Sequence, residues 1–524
     1  MIARAGLAAL LGLLLAGCHS TGPIVFNCDG FEGPQGYGQA EVPSAYVRQI
    51  RGEPDPAPAP AGQWKAAAPA GLEAAIEKAQ AENPLPAALQ PPSPPSPERI
   101  LTLDEALAQV REPAPPAKPD KGGEDDWLDL PGGAAPGPVA ADLLLSGGGQ
   151  WGAFGAGFLS QLNRAGFGQQ YKFSIITGVS TGAFQAMFVG AGAPEDYAAL
   201  ERVYQPKAES LLVRRYKPSA LAVVTGEMAA IGRLRVALED QLCAPAALAQ
   251  AMKAGGTLSR ADVLRICPMV ARLAEAGLVT TQRPKPDRLV FIGMVRADDG
   301  RFIAANATQI ALDAYARPTT PARLRNAQQC LAAIGLASAA MPLFYQQVQI
   351  RDDAARVGPR TYYDGGVRQS VFEAKLAQDR TNADVNKPIF VLRNGPTALL
   401  TREGEQDQPG ADPKTNGTAD ALNAALRAEK IVVNQVEVQS IADLRLTNPE
   451  GPVYFVTADK FHQFTDPATG KTCTKQDKDA MFDPTFMACL QKFGMATATV
   501  PGGRGHLIDA WRRLKTAKEV GGRR

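Results

Sequence analysis

Residues 143–182 read LLLSGGGQWGAFGAGFLSQLNRAGFGQQYKFSIITGVSTG and decide the fold of this chain. The stretch contains two glycine-framed turns, SGGGQWG at 146–152 and GVSTG at 178–182, and an apolar run typical of a β-strand precedes each turn. A helix is expected after each turn, from Gly152 and over 183–189. Two successive strand–turn–helix units predict an α/β fold whose largely parallel sheet is covered by helices on both faces.

Ser180 lies at the tip of the second turn, between Gly178 and Gly182. This G-x-S-x-G spacing is typical of a nucleophile elbow, in which the helix passes so close to the preceding strand that a Cβ at either glycine would clash. The sharp turn holds the serine oxygen away from the backbone, where it can attack an ester. The predicted strand at 173–177 and helix at 183–189 supply the context that a chance match lacks.

The first turn has two interpretations. Gly147, Gly149 and Gly152 fit the G-x-G-x-x-G fingerprint of dinucleotide-binding proteins, which needs an acidic residue about 20 positions later to hold a ribose hydroxyl. Residues 152–182 contain neither Asp nor Glu, and the Lys-Ser/Thr pair of a nucleoside-triphosphate loop is missing after Gly152. We therefore interpret the turn as an oxyanion loop, whose backbone amides stabilise the anion formed when a serine attacks an ester.

The expected base is not a histidine. The chain has three histidines: His19 abuts a processing site, His506 begins a helix-like stretch, and His462 is interpreted as a solvated loop residue. Asp364, in the motif TYYDGGV at 361–367, ends an apolar-aromatic strand and precedes two glycines that let the backbone turn tightly. Asp364 is therefore the candidate base, although the same residues also fit an ordinary Asp-Gly turn.

These motifs resemble those of the patatin-like phospholipases. That family has a glycine-rich oxyanion loop, a G-x-S-x-G serine and a D-G-G or D-G-A aspartate, which work as a Ser-Asp dyad without histidine. The chain matches at 146–152, 178–182 and 364–366 in the family's order, and ASAAMPLF at 337–344 resembles the family's A-S-x-A-x-P-x-x-F segment. Trp151 departs from the family, which usually carries Arg or Lys there, so a cation that binds lipid head groups or acyl oxygens is not expected at this position.

The resemblance implies a patatin-like three-layer sandwich, α/β in class, with a mostly parallel central sheet and helices on both faces. It implies that Ser180 is the nucleophile, that Asp364 takes its proton and returns it to the leaving alcohol, and that amides around Gly148 and Gly149, with that of Thr181, bind the oxyanion. The motif residues expected at the site are Ser180, Thr181, Asp364, Gly147, Gly148, Gly149, Gly152, Gly178, Gly182, Gly365 and Gly366.

The activity implied by the resemblance is hydrolysis of carboxylic esters of phospholipids or lysophospholipids through an acyl-serine intermediate, with neither cofactor nor metal. A lone carboxylate is a weak base in water, with a reference pKa of about 3.9, so the dyad requires a shielded pocket that raises the pKa of Asp364. Two alternatives stay open. One is acyl transfer to another alcohol through the same intermediate, and the other is a catalytically silent lipoprotein that binds acyl chains or a partner protein.

The N-terminus predicts a membrane anchor. Arg4 and the apolar residues 5–16 predict a lipoprotein signal peptide over residues 1–17, too short to span a bilayer as a permanent helix; the alternative is a plain signal peptide with an incidental cysteine. The motif LAGC, which ends at Cys18, resembles a bacterial lipobox and implies cleavage before Cys18 and acylation of that cysteine. Several acyl chains would hold the protein on a membrane of the cell envelope, and His19 in place of aspartate favours the outer membrane.

Composition divides the remaining chain. Of the 42 prolines, 16 fall between residues 51 and 120, a composition that forms an extended spacer rather than a packed core. Helix-like islands interrupt the spacer at 71–82 and 103–111. The expected parts are an acylated N-terminus and Pro/Ala-rich spacer at 18–138, a catalytic domain at 139–518 with a lid or insertion at 204–285, and a tail at 519–524.

The catalytic domain is expected to alternate strands and helices. The predicted strands are 142–146, 173–180, 288–296, 301–308, 361–363, 388–393 and 453–458. The predicted helices follow Gly152 and Ser180 and occupy 322–339, 421–444 and 507–514.

Charge and cysteine content add two expectations. The net charge of +2 supplies no general basic field, so nucleic acid is not an expected partner, whereas a phospholipid membrane is. Export permits disulfides, and Cys473 with Cys489, or Cys243 with Cys267, would close short loops. Six cysteines other than Cys18 allow 15 pairings, which the sequence does not separate. No Cys/His spacing indicates a metal, and the oligomeric state is left open.

Overall fold

The computed structural model describes residues 22–33, 36–41, 137–216, 227–279, 286–315, 318–374, 387–397, 421–476, 480–499 and 504–521. The predicted signal peptide, the lipobox cysteine Cys18, and the proline-rich part of the spacer with its two helix-like islands lie outside these residues.

Most strands form one sheet of 11 strands. Its order is β1-β10-β11-β7-β4-β3-β12-β13-β14, and β8 pairs with both β7 and β2. The central strands β7, β4, β3, β12 and β13 run parallel, and antiparallel pairs flank them. A small second sheet has the order β5-β6-β9. The strands are β1 Ile24–Asn27, β2 Gly38–Ala40, β3 Val139–Leu145, β4 Tyr171–Val179, β5 Arg214–Arg215, β6 Glu227–Ala230, β7 Leu289–Arg296, β8 Phe302–Asn306, β9 Leu343–Tyr345, β10 Val348–Asp352, β11 Val357–Asp364, β12 Ile389–Arg393, β13 Val453–Thr457 and β14 Arg512–Arg513.

Helices cover both faces of the sheet. Along β3, Leu143 and Leu145 pack with Phe154 of α1 and Leu490 of α11 in one apolar cluster, whereas Leu144 packs with Ile441 and Leu444 of α10 in another. This alternation follows from the period of two residues in a strand, and it confirms the predicted α/β sandwich. The helices are α1 Gly152–Arg164, α2 Thr181–Ala191, α3 Pro194–Val203, α4 Gly232–Leu242, α5 Pro245–Ala254, α6 Arg260–Ile266, α7 Pro268–Gly277, α8 Ala307–Tyr315, α9 Pro321–Ser338, α10 Ala421–Thr447, α11 Pro484–Ala498 and α12 Ala517–Gly521.

The predicted strands and the helices at 322–339 and 421–444 are confirmed, with two corrections. The strand expected at 301–308 ends at Asn306, because the side chain of Asn306 accepts a hydrogen bond from the amide of Gln309 (2.9 Å) as helix α8 begins. The helix expected at 507–514 is wrong. A 3-10 helix ends at Ala510, and after Trp511 the chain forms β14, which pairs with the edge of β13.

Residues 22–41 differ from the expected spacer. Strand β1 lies parallel to β10, β2 lies antiparallel to β8, and a disulfide joins Cys28 to Cys330 of α9. The main sheet therefore includes residues from both sides of the proline-rich stretch in sequence. The proline-rich stretch falls between β2 and β3 in the sequence, instead of preceding all the strands of the sheet.

Both short disulfides considered in the sequence, Cys243–Cys267 and Cys473–Cys489, are formed. No local pattern singles out Cys28–Cys330, because its cysteines are 302 residues apart. Within the described ranges, no helix is long and apolar enough to cross a membrane. The same part of the chain contains no cluster of His, Cys, Asp and Glu that could hold a metal ion.

Candidate active site

The register of β7 brings Ser180 and Asp364 together. Strand β4 runs parallel to β7 and ends with Val179 opposite Gly293. Strand β11 runs antiparallel to β7 and ends with Asp364 opposite Met294, which is the residue after Gly293 on β7. Because β8 occupies the other edge of β7 over these positions, β4 and β11 meet end to end along one edge. The residue after β4 is Ser180, which therefore meets the last residue of β11.

Ser180 has the strained backbone of a sharp turn. Its φ of 56° and ψ of −124° lie in a region that residues other than glycine rarely adopt, and α2 begins immediately after it. The amide of Ser180 donates to the hydroxyl of Ser338 (2.8 Å), which in turn donates to the carbonyl of Gly293 (2.6 Å). Ser338 therefore ties the turn to β7, a role that its place in the ASAAMPLF segment did not reveal.

The glycines that flank Ser180 are required by packing, as predicted. A Cβ at Gly178 would overlap the carbonyl of Gly182, and a Cβ at Gly182 would overlap the carbonyl of Leu145 at the end of β3. Gly152 is equally confined, because a Cβ there would overlap the hydroxyl of Thr181. The two glycine turns therefore lie against each other.

Asp364 is a buried carboxylate with a hydrogen bond to the candidate nucleophile. It is 2 % exposed, and it accepts hydrogen bonds from the hydroxyl of Ser180 and from the amide of Gly366 (2.8 Å). Burial raises the pKa of Asp364 to about 7, the two hydrogen bonds oppose this rise, and the negative charges of Glu437 and Glu429 add to it. A carboxylate with such a pKa is a much stronger base than one in water.

The glycine loop presents free amides beside Ser180. Gly148 and Gly149 have φ values of 141° and 55°, which favour glycine, and the amides of these two residues and of Thr181 donate to no acceptor among the described residues. The amide of Gly147 is already engaged, since it donates to the hydroxyl of Ser370 (3.3 Å). The amides of Gly148, Gly149 and Thr181 are therefore the ones available to an anion beside Ser180.

Buried side chains hold this loop in place. Asn394, after β12, donates from its backbone amide to the hydroxyl of Ser146 (3.0 Å) and from its side chain to the carbonyl of Ser146 (2.8 Å) and to Gln185 (2.9 Å). Trp151 packs edge-on against Phe461 and Phe486, with ring centroids 4.7 and 5.1 Å apart. Each aromatic contact of this kind contributes about 0.5–1.5 kcal/mol beyond its buried area. Trp151 therefore fixes the end of the loop by packing.

An apolar cavity of about 810 Å³, including its open mouth, extends from Ser180. Helix α4, within the segment predicted as a lid or insertion, supplies part of its wall, and α7 of the same segment packs against α2 in the core. The size and apolar lining are suited to an acyl chain. The lining residues are Gly149, Ser180, Thr181, Phe184, Phe188, Val203, Tyr204, Leu212, Ile231, Leu234, Ala237, Leu238, Gln241, Ala339, Tyr345, Phe482 and Met487.

Comparison with known proteins agrees with this geometry. Residues 143–375 match the family model described as patatin-like phospholipase. Residues 143–375 therefore form a patatin-like phospholipase domain. The match begins within β3, just before the glycine loop, and ends after Asp364, so it contains both Ser180 and Asp364.

Two solved structures are similar to this patatin-like chain. The crystal structure of VipD from Legionella pneumophila shares 12 % identity, with 73 % of this chain and 68 % of that chain covered at a TM-score of 0.30. The type III effector protein ExoU shares 14 % identity, with 68 % of this chain and 54 % of that chain covered at a TM-score of 0.22. No curated protein matches the chain at a significant level.

The two histidines among the described residues, His462 and His506, do not line the cavity of this patatin-like domain. His506 is exposed and contacts Asp509 (3.3 Å). His462 was expected to be solvated but is half-buried in a short 3-10 helix, where its ring contacts Phe461. His19 lies outside the described residues. The acid–base group that the structure brings to Ser180 is the carboxylate of Asp364.

Proposed function

We propose that the protein is a serine-dependent lipid acyl hydrolase of the phospholipase A or lysophospholipase type, and that Ser180 and Asp364 form its catalytic dyad. The observation that carries the proposal is the hydrogen bond from the Ser180 hydroxyl to the buried Asp364 carboxylate, next to an apolar cavity. The match of residues 143–375 to the patatin-like phospholipase model supports lipid hydrolysis in general. The buried carboxylate, its hydrogen bond with Ser180 and the apolar cavity support the dyad and the ester class that we propose.

The proposed reaction has two halves. Asp364 accepts the hydroxyl proton as the Ser180 oxygen attacks the ester carbonyl carbon, and the amides of Gly148, Gly149 and Thr181 stabilise the resulting oxyanion. Collapse of this intermediate breaks the ester bond, and the leaving alcohol takes the proton from Asp364. Water then attacks the acyl-serine, gives a proton to Asp364, and the released serine oxygen recovers that proton.

The proposed substrate is a membrane lipid because the chain combines an apolar cavity with a lipobox-like N-terminus. Acylation of Cys18 would place the mature protein on a membrane of the bacterial envelope, and the residue after Cys18 favours the outer membrane. Cys18 is four residues from Gly22, a reach of at most about 14 Å. The carbonyl of Gly22 accepts a hydrogen bond from Gln346 (2.5 Å), which follows the cavity-lining Tyr345. The anchor would therefore enter the catalytic body near its cavity.

The test compares purified, detergent-solubilised protein with Ser180→Ala and Asp364→Asn on a phospholipid and on a short p-nitrophenyl ester. We expect both variants to lose at least about 1,000-fold in kcat on each substrate. Equal background from all three proteins would overturn the proposal and favour a silent acyl-binding lipoprotein. Product lipids that carry a new ester bond would identify acyl transfer in place of hydrolysis.

A further inference from the structure

A chain of buried polar contacts, which includes one ion pair, lies behind the glycine loop. Arg393, Glu437 and Ser370 are 1 %, 6 % and 0 % exposed. The guanidinium of Arg393 contacts one carboxylate oxygen of Glu437 (2.9 Å), and the hydroxyl of Ser370 donates to the other (2.7 Å). The Gly147 amide donates to the same Ser370 hydroxyl (3.3 Å). The contacts therefore run from the end of β12, through α10, to the first glycine of the oxyanion loop.

Ser370 lies between the two halves of the candidate dyad. A Cβ at Gly147 would lie 3.4 Å from the Ser370 oxygen and 3.3 Å from the Cβ of Ser180. A Cβ at Gly366, whose amide binds Asp364, would lie 3.8 Å from the same oxygen. The Ser370 hydroxyl is thus close to the turn that carries the nucleophile and to the turn that orients the base.

The direction of these hydrogen bonds is fixed by chemistry. A serine hydroxyl has one proton to donate and two lone pairs to accept with. Because the Ser370 hydroxyl donates its proton to the Glu437 carboxylate, the Ser370 oxygen can only accept a hydrogen bond from Gly147. The N–H of Gly147 must therefore point at this oxygen. Burial of Glu437 and Arg393 carries a desolvation cost that a well-packed apolar pair would avoid. A stabilising role alone therefore gives no reason for an ion pair at this place.

We propose that Ser370, oriented by the Glu437–Arg393 pair, is a positioning residue for the oxyanion loop. By holding the Gly147 amide, it sets the peptide planes that follow, so that the amides of Gly148 and Gly149 face the substrate oxygen. This inference rests on the proposed hydrolase function, and it assigns Ser370 and Glu437 a part that the motifs did not indicate. Neither residue needs to touch the substrate, because each acts through the loop.

The test is Ser370→Ala, with kcat and KM measured on a short ester and with the rate of Ser180 labelling by a fluorophosphonate probe. Loss of the acceptor frees the Gly147 amide and lets the loop rotate. We expect kcat and the labelling rate to fall about tenfold or more, with KM within about twofold. Ser370→Thr keeps the hydroxyl and is expected to regain most of the rate.

The matched control is Ser440→Ala on the same helix as Glu437, because the Ser440 hydroxyl donates to the backbone carbonyl of Val436 (2.7 Å) and is not part of the chain of contacts. It should keep the wild-type kcat. A wild-type kcat in Ser370→Ala, or a loss explained wholly by its fraction of unfolded protein, would overturn the inference. If the wild type were inactive and the probe did not label it, the proposed function itself would be wrong, and so would this inference.

Discussion

At the scale of the residue, the burial of Asp364 gives the site its basicity and also costs stability. Burial holds the pKa of Asp364 near 7 in the folded protein, above the ordinary value of 3.8. Between these pH values the folded state keeps a proton that the unfolded chain has released. Raising the pH through this window therefore lowers the free energy of unfolding. The charged form of Asp364, which the proposed reaction needs, is the form that the fold disfavours.

The first prediction concerns the rate as a function of pH. Asp364 must be deprotonated to act as a base, so kcat/KM should rise with pH and level off above an apparent pKa near 7. The measurement is a pH–rate profile on a short ester whose own hydrolysis is subtracted. A flat profile from pH 5 to pH 9 would contradict the assignment of Asp364 as base. Enzymes whose base is an ordinary solvated carboxylate would level off near pH 4–5.

The second prediction concerns the stability of Asp364→Asn. The side-chain amide that this substitution introduces keeps an oxygen that can accept the hydrogen bond from the backbone N–H of Gly366, but it cannot act as a base and has no charge to bury. The variant should therefore be inactive, and above pH 7 it should be more stable than the wild type. We expect its Tm at pH 8 to be higher by about 2–4 °C, with the difference shrinking as the pH falls toward 4. Thermal unfolding at both pH values measures this. Ser180→Ala serves as the control, because it keeps the carboxyl and should keep the wild-type pH trend.

The residues of the proposed dyad could be singled out in the sequence because each lies in a local motif with its own chemistry. Ser180 and Asp364 are marked by the glycines beside them, and those glycines are explained by backbone crowding that depends on near neighbours. Asn394, Ser370 and Glu437 carry no local signal. They reach the glycine loop only after β12 and α10 pack against it, and their polar side chains fit a solvated surface equally well in the sequence.

At the scale of the element, the wall of the cavity should decide which acyl chains fit. Helix α4 lines the cavity with Leu234, Ala237, Leu238 and Gln241, and Ile231, the residue before the helix, adds to the same wall. An apolar wall discriminates between chains by the space it leaves, not by hydrogen bonds. Changes in side-chain volume on α4 should therefore alter acyl-length preference without changing the dyad.

The third prediction is that Leu238→Trp narrows the cavity. We expect kcat/KM for a long-chain phospholipid to fall at least about tenfold, while the rate on a short p-nitrophenyl ester stays within about twofold. Val236→Trp is the matched control, because Val236 lies on the same helix, is 55 % exposed and does not line the cavity. An equal loss on long and short esters would mean that the cavity does not hold the acyl chain.

The individual strands could be predicted from apolar runs, but their pairing could not. At the ends that carry the site, the predicted bounds of β4, β7 and β11 lie within one or two residues of the observed bounds. Ser180 and Asp364 meet, however, only because β4 and β11 share one edge of β7. Register is set by side chains distant in sequence and by the hairpin of β7 with β8. Local patterns give no information about which edge a strand joins.

At the scale of the whole molecule, the N-terminal strands β1 and β2 change how the position of the proline-rich stretch in the chain is interpreted. Composition alone indicated a spacer between an acylated cysteine and the catalytic domain. Strands β1 and β2 and the Cys28–Cys330 disulfide instead attach residues 22–41 directly to the sheet. These contacts join residues about 300 positions apart, which no composition or periodicity can reveal. If Cys18 is acylated, the anchor is only a few residues from the sheet.

The fourth prediction follows from this connection. Replacing residues 46–132 by a short Gly/Ser linker should leave membrane association and specific activity within about twofold of the wild type, because the anchor reaches the sheet through β1. Fractionation of cells and activity of the membrane fraction measure both properties. Cys18→Ala is the control that should release the protein. Loss of membrane association in the deletion alone would show that the proline-rich stretch, and not the N-terminal segment, carries the attachment.

The most direct test of the account is to find the acyl group. The protein is mixed with a phospholipid that carries a labelled acyl chain, quenched in acid within the first turnover, digested and examined by mass spectrometry. The account predicts the label as an ester on the peptide that contains Ser180, much less of it in Asp364→Asn, and none in Ser180→Ala. Hydrolysis by the wild type that persists in Ser180→Ala, or a label on a different residue, would contradict it.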